Sequence, residues 1–398
     1  MIKKREEYLS RIRPFYNKEL IKVLIGVRRA GKSTILKQII EEIKESGIKD
    51  DQIIYISFEF DDFDFITNRK ELSEYIKSLM KAKKRYYLFI DEVQKIEGWE
   101  RVINSIHAKK EADIYLTGSN GDLLSTEITD LLTGRFVSFM IFPFNFKEAF
   151  EYCLDKGVDK EQFFNDFMTW GGIPIRYTLD SIDDVKIFLD STYNSILYND
   201  IVKRFNVRDI ELLERISKYI VTTPSQEFSV DSIAKYFESI NRKVSKETIY
   251  NYVDYMNKAL LISKAERYDV RGKRILTGKY KYYLTDLGLG QIINGSNQKQ
   301  IGAYLENIVY NELLIRGYKV YVGTLENGEI DFVAEKGDRK EYYQVTYLLN
   351  NSDTLEREFK AFDVINDNYP KILLSLDKMD FSRNGILHYN IIDWLLNK

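Results

Sequence analysis

The run Gly26-Val27-Arg28-Arg29-Ala30-Gly31-Lys32-Ser33-Thr34 is the part of this chain whose residue types and spacing point most directly to chemistry. It is a glycine, four residues, a second glycine, a lysine and a hydroxyl residue, set between an apolar segment, Ile21–Ile25, and a segment of helical pattern. Loops of this kind wrap backbone N–H groups around a phosphate, and the following helix adds favourable partial charge from its N-terminus. In that arrangement Lys32 reaches the β- and γ-phosphates of a nucleoside triphosphate and the Ser33 hydroxyl ligates Mg²⁺. The expectation is an ATP site with Mg²⁺ as its metal.

A second segment supplies the acids that such a site needs. Tyr86-Tyr87-Leu88-Phe89-Ile90-Asp91-Glu92 is an apolar strand pattern ending in two carboxylates. Asp91 is placed to hold Mg²⁺ through water, and Glu92 to polarise the water that attacks the γ-phosphate. The next strand pattern ends at Thr117-Gly118-Ser119-Asn120, where Asn120 would assist beside the γ-phosphate; a plain turn is an equally natural reading there.

These groups must be positioned by alternating strands and helices. Short apolar runs at Ile21–Ile25, Ile53–Phe58, Tyr86–Asp91, Asp113–Thr117 and Phe136–Phe142, separated by helical segments, predict a parallel sheet of five strands. From Phe146 to about Phe205 the pattern is helical, broken by Trp170-Gly171-Gly172-Ile173-Pro174. Residues 207–298 read as a winged helix: two helices opened by capping serines, Ser229 and Ser245, lead into a β-hairpin. That hairpin, Lys264–Lys281, holds seven basic residues against two acids. Arg267, Arg271, Lys273, Arg274, Lys279 and Lys281 are candidate contacts to double-stranded DNA, with internal packing or protein docking as the alternative.

The run GVRRAGKST, the stretch Leu88–Glu100, Leu116–Asn120 and Leu132–Phe150 together resemble archaeal-type AAA+ ATPases of the additional-strand P-loop class. The resemblance implies a sheet order 5-1-4-3-2, with Asp91 on the third strand and Asn120 after the fourth. It also implies that Arg135 reaches a nucleotide phosphate in its own subunit or a neighbour's; a surface arginine or a buried ion pair is the alternative. Residues 299–398 are similar to the PD-(D/E)XK nuclease fold in placing Glu306 on a helix, Glu329 and Asp331 on a strand and Gln344 on the next strand. Active members carry an acid and a lysine where this chain has Gln344 and Thr346. The resemblance therefore implies a degenerate nuclease domain with a weak second metal site at Glu306, Glu329, Asp331 and Gln344.

Composition limits the alternatives. With 398 residues, 44% hydrophobic and 14% aromatic, the chain has apolar surface for several cores. A single cysteine and two histidines exclude an intramolecular disulfide and the usual zinc sites. Net charge is −2, so no overall basic excess marks a nucleic-acid binder. A charged start and the absence of a long apolar run lead us to expect a cytoplasmic protein without a membrane partner. The expected architecture is α/β: a P-loop core at 1–145, a helical extension at 146–206, a winged helix at 207–298 and a restriction-endonuclease-like domain at 299–398. The expected function is a Mg²⁺-dependent ATPase, able to form a homo-oligomer, whose nucleotide state moves the later domains on nucleic acid or a protein partner. An ATP-gated DNA nuclease and a DNA-binding regulator that uses ATP as a ligand are the alternatives.

Overall fold

The structure, a computed structural model, describes residues 3–397 apart from 81–83, 120, 122–131, 133, 223–224, 295–299, 327 and 350. The chain divides into two compact units, residues 1–142 and 143–398.

In the first unit, β1 (Ile21–Ile25), β2 (Ile53–Ser57), β3 (Tyr86–Asp91), β4 (Ala112–Gly118) and β5 (Phe136–Met140) form one sheet in the order β2-β3-β4-β1-β5. Every neighbouring pair is parallel, and the order is 5-1-4-3-2 read from the other edge. β1 and β3 are buried along their whole length, as strands in a parallel sheet covered on both faces must be. The helix Lys32–Glu45 turns its apolar residues Ile35, Leu36, Ile39 and Ile43 inward. Parallel pairing brings the C-terminal ends of β1, β3 and β4 to one edge: Ile25 pairs with Gly118, and Ile90 with Leu116.

One buried residue of β1 breaks the apolar run. The Lys22 ammonium is fully buried against the Asp113 carboxylate, donates to the Leu20 carbonyl at 2.9 Å and lies 4.4 Å from the Tyr115 ring centroid. Asp113 is completed by the Asn17 amide at 3.0 Å and the Tyr115 hydroxyl at 2.7 Å. Such a pair is tolerated in a low dielectric because its remaining polar atoms are also bonded.

The second unit is built on a sheet of seven strands in the order β12-β11-β10-β9-β8-β6-β7. These are β6 (Ile262–Asp269), β7 (Arg274–Leu284), β8 (Lys319–Leu325), β9 (Gly328–Lys336), β10 (Arg339–Val345), β11 (Lys371–Ser375) and β12 (Ile386–Asn390). Helices Ile210–Thr222, Val230–Ser239 and Lys246–Lys258 precede the β6–β7 hairpin, and Ser229 and Ser245 cap the latter two by accepting the Ser232 and Thr248 amides. The expected division at 298/299 is not a division of the sheet. β6 pairs in parallel with β8, and Tyr268 and Val270 of the hairpin region share a core with Ile330, Val333, Tyr342, Phe362 and Leu373. The hairpin and the C-terminal strands therefore share one sheet and one hydrophobic core.

The Trp170–Pro174 interruption is a pinned turn. Gly171 has φ +71°, and a Cβ there would lie 2.0 Å from Asp286 Oδ1. The Gly172 amide donates to Asp286 Oδ2 at 2.6 Å, and its carbonyl accepts the Phe144 amide at 2.8 Å. Arg176 Nε and the Tyr177 hydroxyl both donate to the Gly171 carbonyl, at 2.7 and 2.9 Å. Burial pushes the Asp286 carboxyl up to about 6, against the pull of amide hydrogen bonds and the Arg176 charge. Among the described residues, no helix is long and apolar enough to cross a membrane.

Two expectations follow. Asp113→Asn, which strips the buried Lys22 of its counter-charge, should lower stability by about 3–5 kcal/mol in urea unfolding. For Asp286, a folded value above the ordinary 3.8 means that the folded state holds the proton more tightly. Its contribution to stability is therefore full below about pH 4 and is lost as pH rises through about 6, by on the order of 3 kcal/mol. Unfolding free energies from pH 4 to 7 should show this fall in the wild type relative to Asp286→Asn.

Candidate functional site

The loop 26–31 leaves β1 and enters the helix that begins at Lys32. Gly26 is required by packing: a Cβ there would come within 2.1 Å of the Ile141 carbonyl oxygen. Its glycine thus answers first to the neighbouring backbone beyond β5. Lys32, 4% exposed, points its ammonium back into the loop, donating to the carbonyls of Gly26 at 3.0 Å and Val27 at 3.2 Å. Its third neighbour is Glu92 Oε1 at 3.6 Å. Ser33 and Thr34 open the helix half-buried; within the loop Val27 and Ala30 are buried, Arg28 is half-buried and Arg29 exposed.

Asp91 and Glu92 stand at the end of β3 in different settings. Asp91 is fully buried; its Oδ1 accepts the Thr117 hydroxyl and its Oδ2 accepts the Tyr55 hydroxyl at 3.2 Å. Thr117 Oγ1 in turn accepts the Glu92 amide at 2.9 Å. Glu92 adopts a left-handed conformation, φ 55° and ψ 48°, which turns its side chain off the strand line. Its Oε2 accepts Gln94 Nε2 at 2.5 Å and Ser119 Oγ at 2.9 Å. Burial opposes the Glu92 charge, but the nearby Lys32 ammonium and the bonds from Gln94 and Ser119 outweigh it and hold the carboxyl below its usual range. Glu92 is therefore an anion at neutral pH, as an acceptor of a water proton must be.

The structure thus brings together Lys32, Asp91 and Glu92 at one sheet edge, where the loop 26–34 also lies. It does not bring Arg135 there. Arg135 immediately precedes β5, exposed, with its carbonyl accepting the Ile21 amide at 2.9 Å. Since Ile21 pairs with Phe136 and Ile25 with Met140, Arg135 lies at the opposite end of the sheet from Gly26. A strand of this length spans roughly 15 Å, which is beyond an arginine's reach. Arg135 therefore does not reach the loop 26–34 of its own chain. Asn120 lies outside the described residues.

Sequence reasoning missed the residues that hold this edge. Thr117, Tyr55 and Ser119 act through cross-strand register, which no local motif shows. Gln94, two residues past Glu92, lies inside the stretch Leu88–Glu100, where nothing in the sequence gives it a role of its own. Arg5, buried in the N-terminal segment, donates to the Ala30 carbonyl at 2.8 Å, and its amide donates to Gln38 Oε1 at 3.1 Å. An arginine near the start of a charged helix carried no signal for that role.

The basic residues of the hairpin do not all face outward. Arg267 and Lys281 are 8% and 4% exposed and face acids of their own unit. Arg267 pairs with Glu227 at 3.0 Å, and Lys281 with Glu306 and Glu329. Arg271, Lys273 and Arg274 stay exposed around the turn, with Arg271 beside Glu326 and Arg274 beside Asp269. The Lys279 side chain lies outside the described residues.

A family profile described as an AAA domain matches residues 18–150, and one for a domain of unknown function, DUF8612, matches residues 161–300. An uncharacterized protein of Haemophilus influenzae is 34% identical over 399 residues, covering 98% of both chains. The uncharacterized protein MJ1544 of Methanocaldococcus jannaschii is 33% identical over 356 residues, covering 86% of this chain and 78% of its own. Two solved structures are similar at a low level. The ORC1 protein of Aeropyrum pernix, in complex with DNA, has a TM-score of 0.33 at 11% identity, over 74% of this chain and 92% of that one. Cdc6p of Pyrobaculum aerophilum has a TM-score of 0.33 at 10% identity, over 78% of this chain and 95% of that one.

The Thr117 hydroxyl is the test of this geometry. Thr117→Val keeps the shape but leaves Asp91 Oδ1 and the Glu92 amide without that partner, and should cost roughly 1–3 kcal/mol in chemical denaturation.

Proposed function

This chain belongs to one family with the Haemophilus influenzae and Methanocaldococcus jannaschii proteins and carries an AAA domain, and from that premise we propose that it binds ATP and hydrolyses it with Mg²⁺. The observation that carries the reading is the approach of Lys32 to Glu92, 3.6 Å, across the edge where β1 and β3 end. A cation for phosphate and an ionised base for water are there held side by side.

In this reading the loop amides from Val27 to Lys32 and the Lys32 ammonium bind the phosphates. Lys32 exchanges its two carbonyl partners for phosphate oxygens, a charge-assisted replacement of neutral hydrogen bonds. The Ser33 hydroxyl and the Asp91 carboxylate are hard oxygen donors suited to Mg²⁺, which when bound neutralises charge on the β- and γ-phosphates. Asp91 has both oxygens engaged by hydroxyls but keeps lone pairs on each, which suits contact through a coordinated water. Glu92 orients the attacking water and accepts its proton, while Ser119 and Gln94 fix the carboxylate's direction. Thr117 sets the spacing of the two acids. Asn120 keeps its proposed place beside the γ-phosphate, and Arg135 contributes to a phosphate only from a second copy of the chain.

Hydrolysis at this edge is proposed to change the disposition of the winged-helix and nuclease-like segments. Contact with double-stranded DNA, in the same reading, is made by the exposed Arg271, Lys273 and Arg274 rather than by the whole hairpin.

The test is the rate of phosphate release with Mg²⁺, with and without double-stranded DNA. Lys32→Ala should abolish turnover. Glu92→Gln should retain ATP binding and lose turnover by two to four orders of magnitude, the usual worth of a positioned base, roughly 10²–10⁴. Hydrolysis at wild-type rates in both variants would overturn the proposal.

A further inference from the structure

The carboxylates named as a second metal site in the C-terminal segment are already occupied from within the chain. Glu306 stands on the helix Ile301–Ile315, and Glu329 and Asp331 on β9. The Lys281 ammonium, delivered by β7, donates to Glu306 Oε1 at 3.2 Å and to Glu329 Oε1. Tyr283, two residues on and so on the same face of the strand, donates its hydroxyl to Glu306 Oε1 at 2.6 Å. Arg267 of β6 lies 3.3 Å from Glu329 Oε2. On the other side, Asp331 Oδ2 accepts the Val345 amide at 2.7 Å. Gln344 spends its carbonyl oxygen, the atom through which it would ligate a metal, on the Asp331 amide at 3.2 Å, and its NH₂ group on Glu358 at 3.0 Å.

A hard divalent cation such as Mg²⁺ or Ca²⁺ takes six or more oxygen ligands. Here each expected ligand already accepts a donor of the protein, and two of the four share one ammonium. Among the described residues no three His, Cys, Asp or Glu side chains are placed to hold a metal ion. The residues present do not fit the metal that the nuclease resemblance implied.

We propose that Lys281 is the resident cation of this cluster, taking the place a divalent metal would have and fastening the β6–β7 hairpin to the C-terminal strands. Glu306, Asp331 and Glu329 outweigh the effect of burial and keep the Lys281 ammonium charged. Position 346, just past β10, carries no lysine, and the contacts that Lys281 makes from β7 are ion pairs that hold two parts of one sheet together. The hairpin's positive charge is to that extent internal.

The experiment uses the full-length, nucleotide-free protein stripped with EDTA, with Mn²⁺ as the probe. Bound Mn²⁺, counted from the electron paramagnetic resonance of the free ion, and the thermal midpoint with and without Mn²⁺ are compared between wild type and Asp331→Asn. The proposal expects the same bound Mn²⁺ and the same Mn²⁺-induced shift in both proteins. A bound ion or a thermal shift present in the wild type and lost in Asp331→Asn would overturn it. Lys281→Met, measured in EDTA at pH 8, should lower the midpoint by several degrees or more; an unchanged midpoint would also overturn it. If Lys281→Met yields no folded protein, the Asp331→Asn comparison decides alone.

Discussion

One hydroxyl holds the candidate site in register. The Thr117 hydroxyl donates a hydrogen bond to Asp91 and accepts one from the Glu92 amide, so the end of β4 fixes both acids at the end of β3. That bridge depends on the parallel pairing of β3 with β4, and the loop that carries Lys32 depends on the pairing of β4 with β1. Glu92 can adopt its left-handed turn because its amide is satisfied by Thr117 and its carboxylate by Ser119, Gln94 and the approach of Lys32. Take away the sheet order and these groups have no common edge.

The same economy of buried charge recurs in each unit. Lys22 with Asp113 in the first, and Lys281 with Glu306 and Glu329 in the second, are ammonium groups buried among carboxylates that hydroxyls or amides complete. Pairs of this kind add little net stability but are costly to break from one side. They therefore fix which strand lies beside which. In the second unit the effect reaches across the boundary that sequence alone suggested at residue 298, because β7 supplies the cation and β9 an acid.

Much of the core was legible because its signals are local. The strand, loop and helix of residues 21–45 and the apolar strand ending in Asp91 and Glu92 lie in continuous segments whose hydrophobic period and residue types carry the information. What was not legible depends on register between distant segments. Thr117 read only as the end of a strand, although its hydroxyl is the bridge. Arg135 reads as a phosphate ligand in its own or a neighbouring subunit, and the β1–β5 pairing, which puts it at the far end of the sheet, removes the first of these. Lys281 was counted with the outward charge of a basic hairpin, since nothing in its neighbours tells that its strand faces Glu306 and Glu329. A charge count is blind to which face of a strand a lysine occupies.

The central claim is that the loop at Gly26–Thr34 and the acids at the end of β3 make one nucleotide site. Calorimetric titration of the wild-type protein with ATP, in the presence and absence of Mg²⁺, tests it most directly. The account predicts saturable binding of one ATP per chain that is tightened by Mg²⁺. Absence of measurable binding under both conditions, or a stoichiometry other than one per chain, would contradict it.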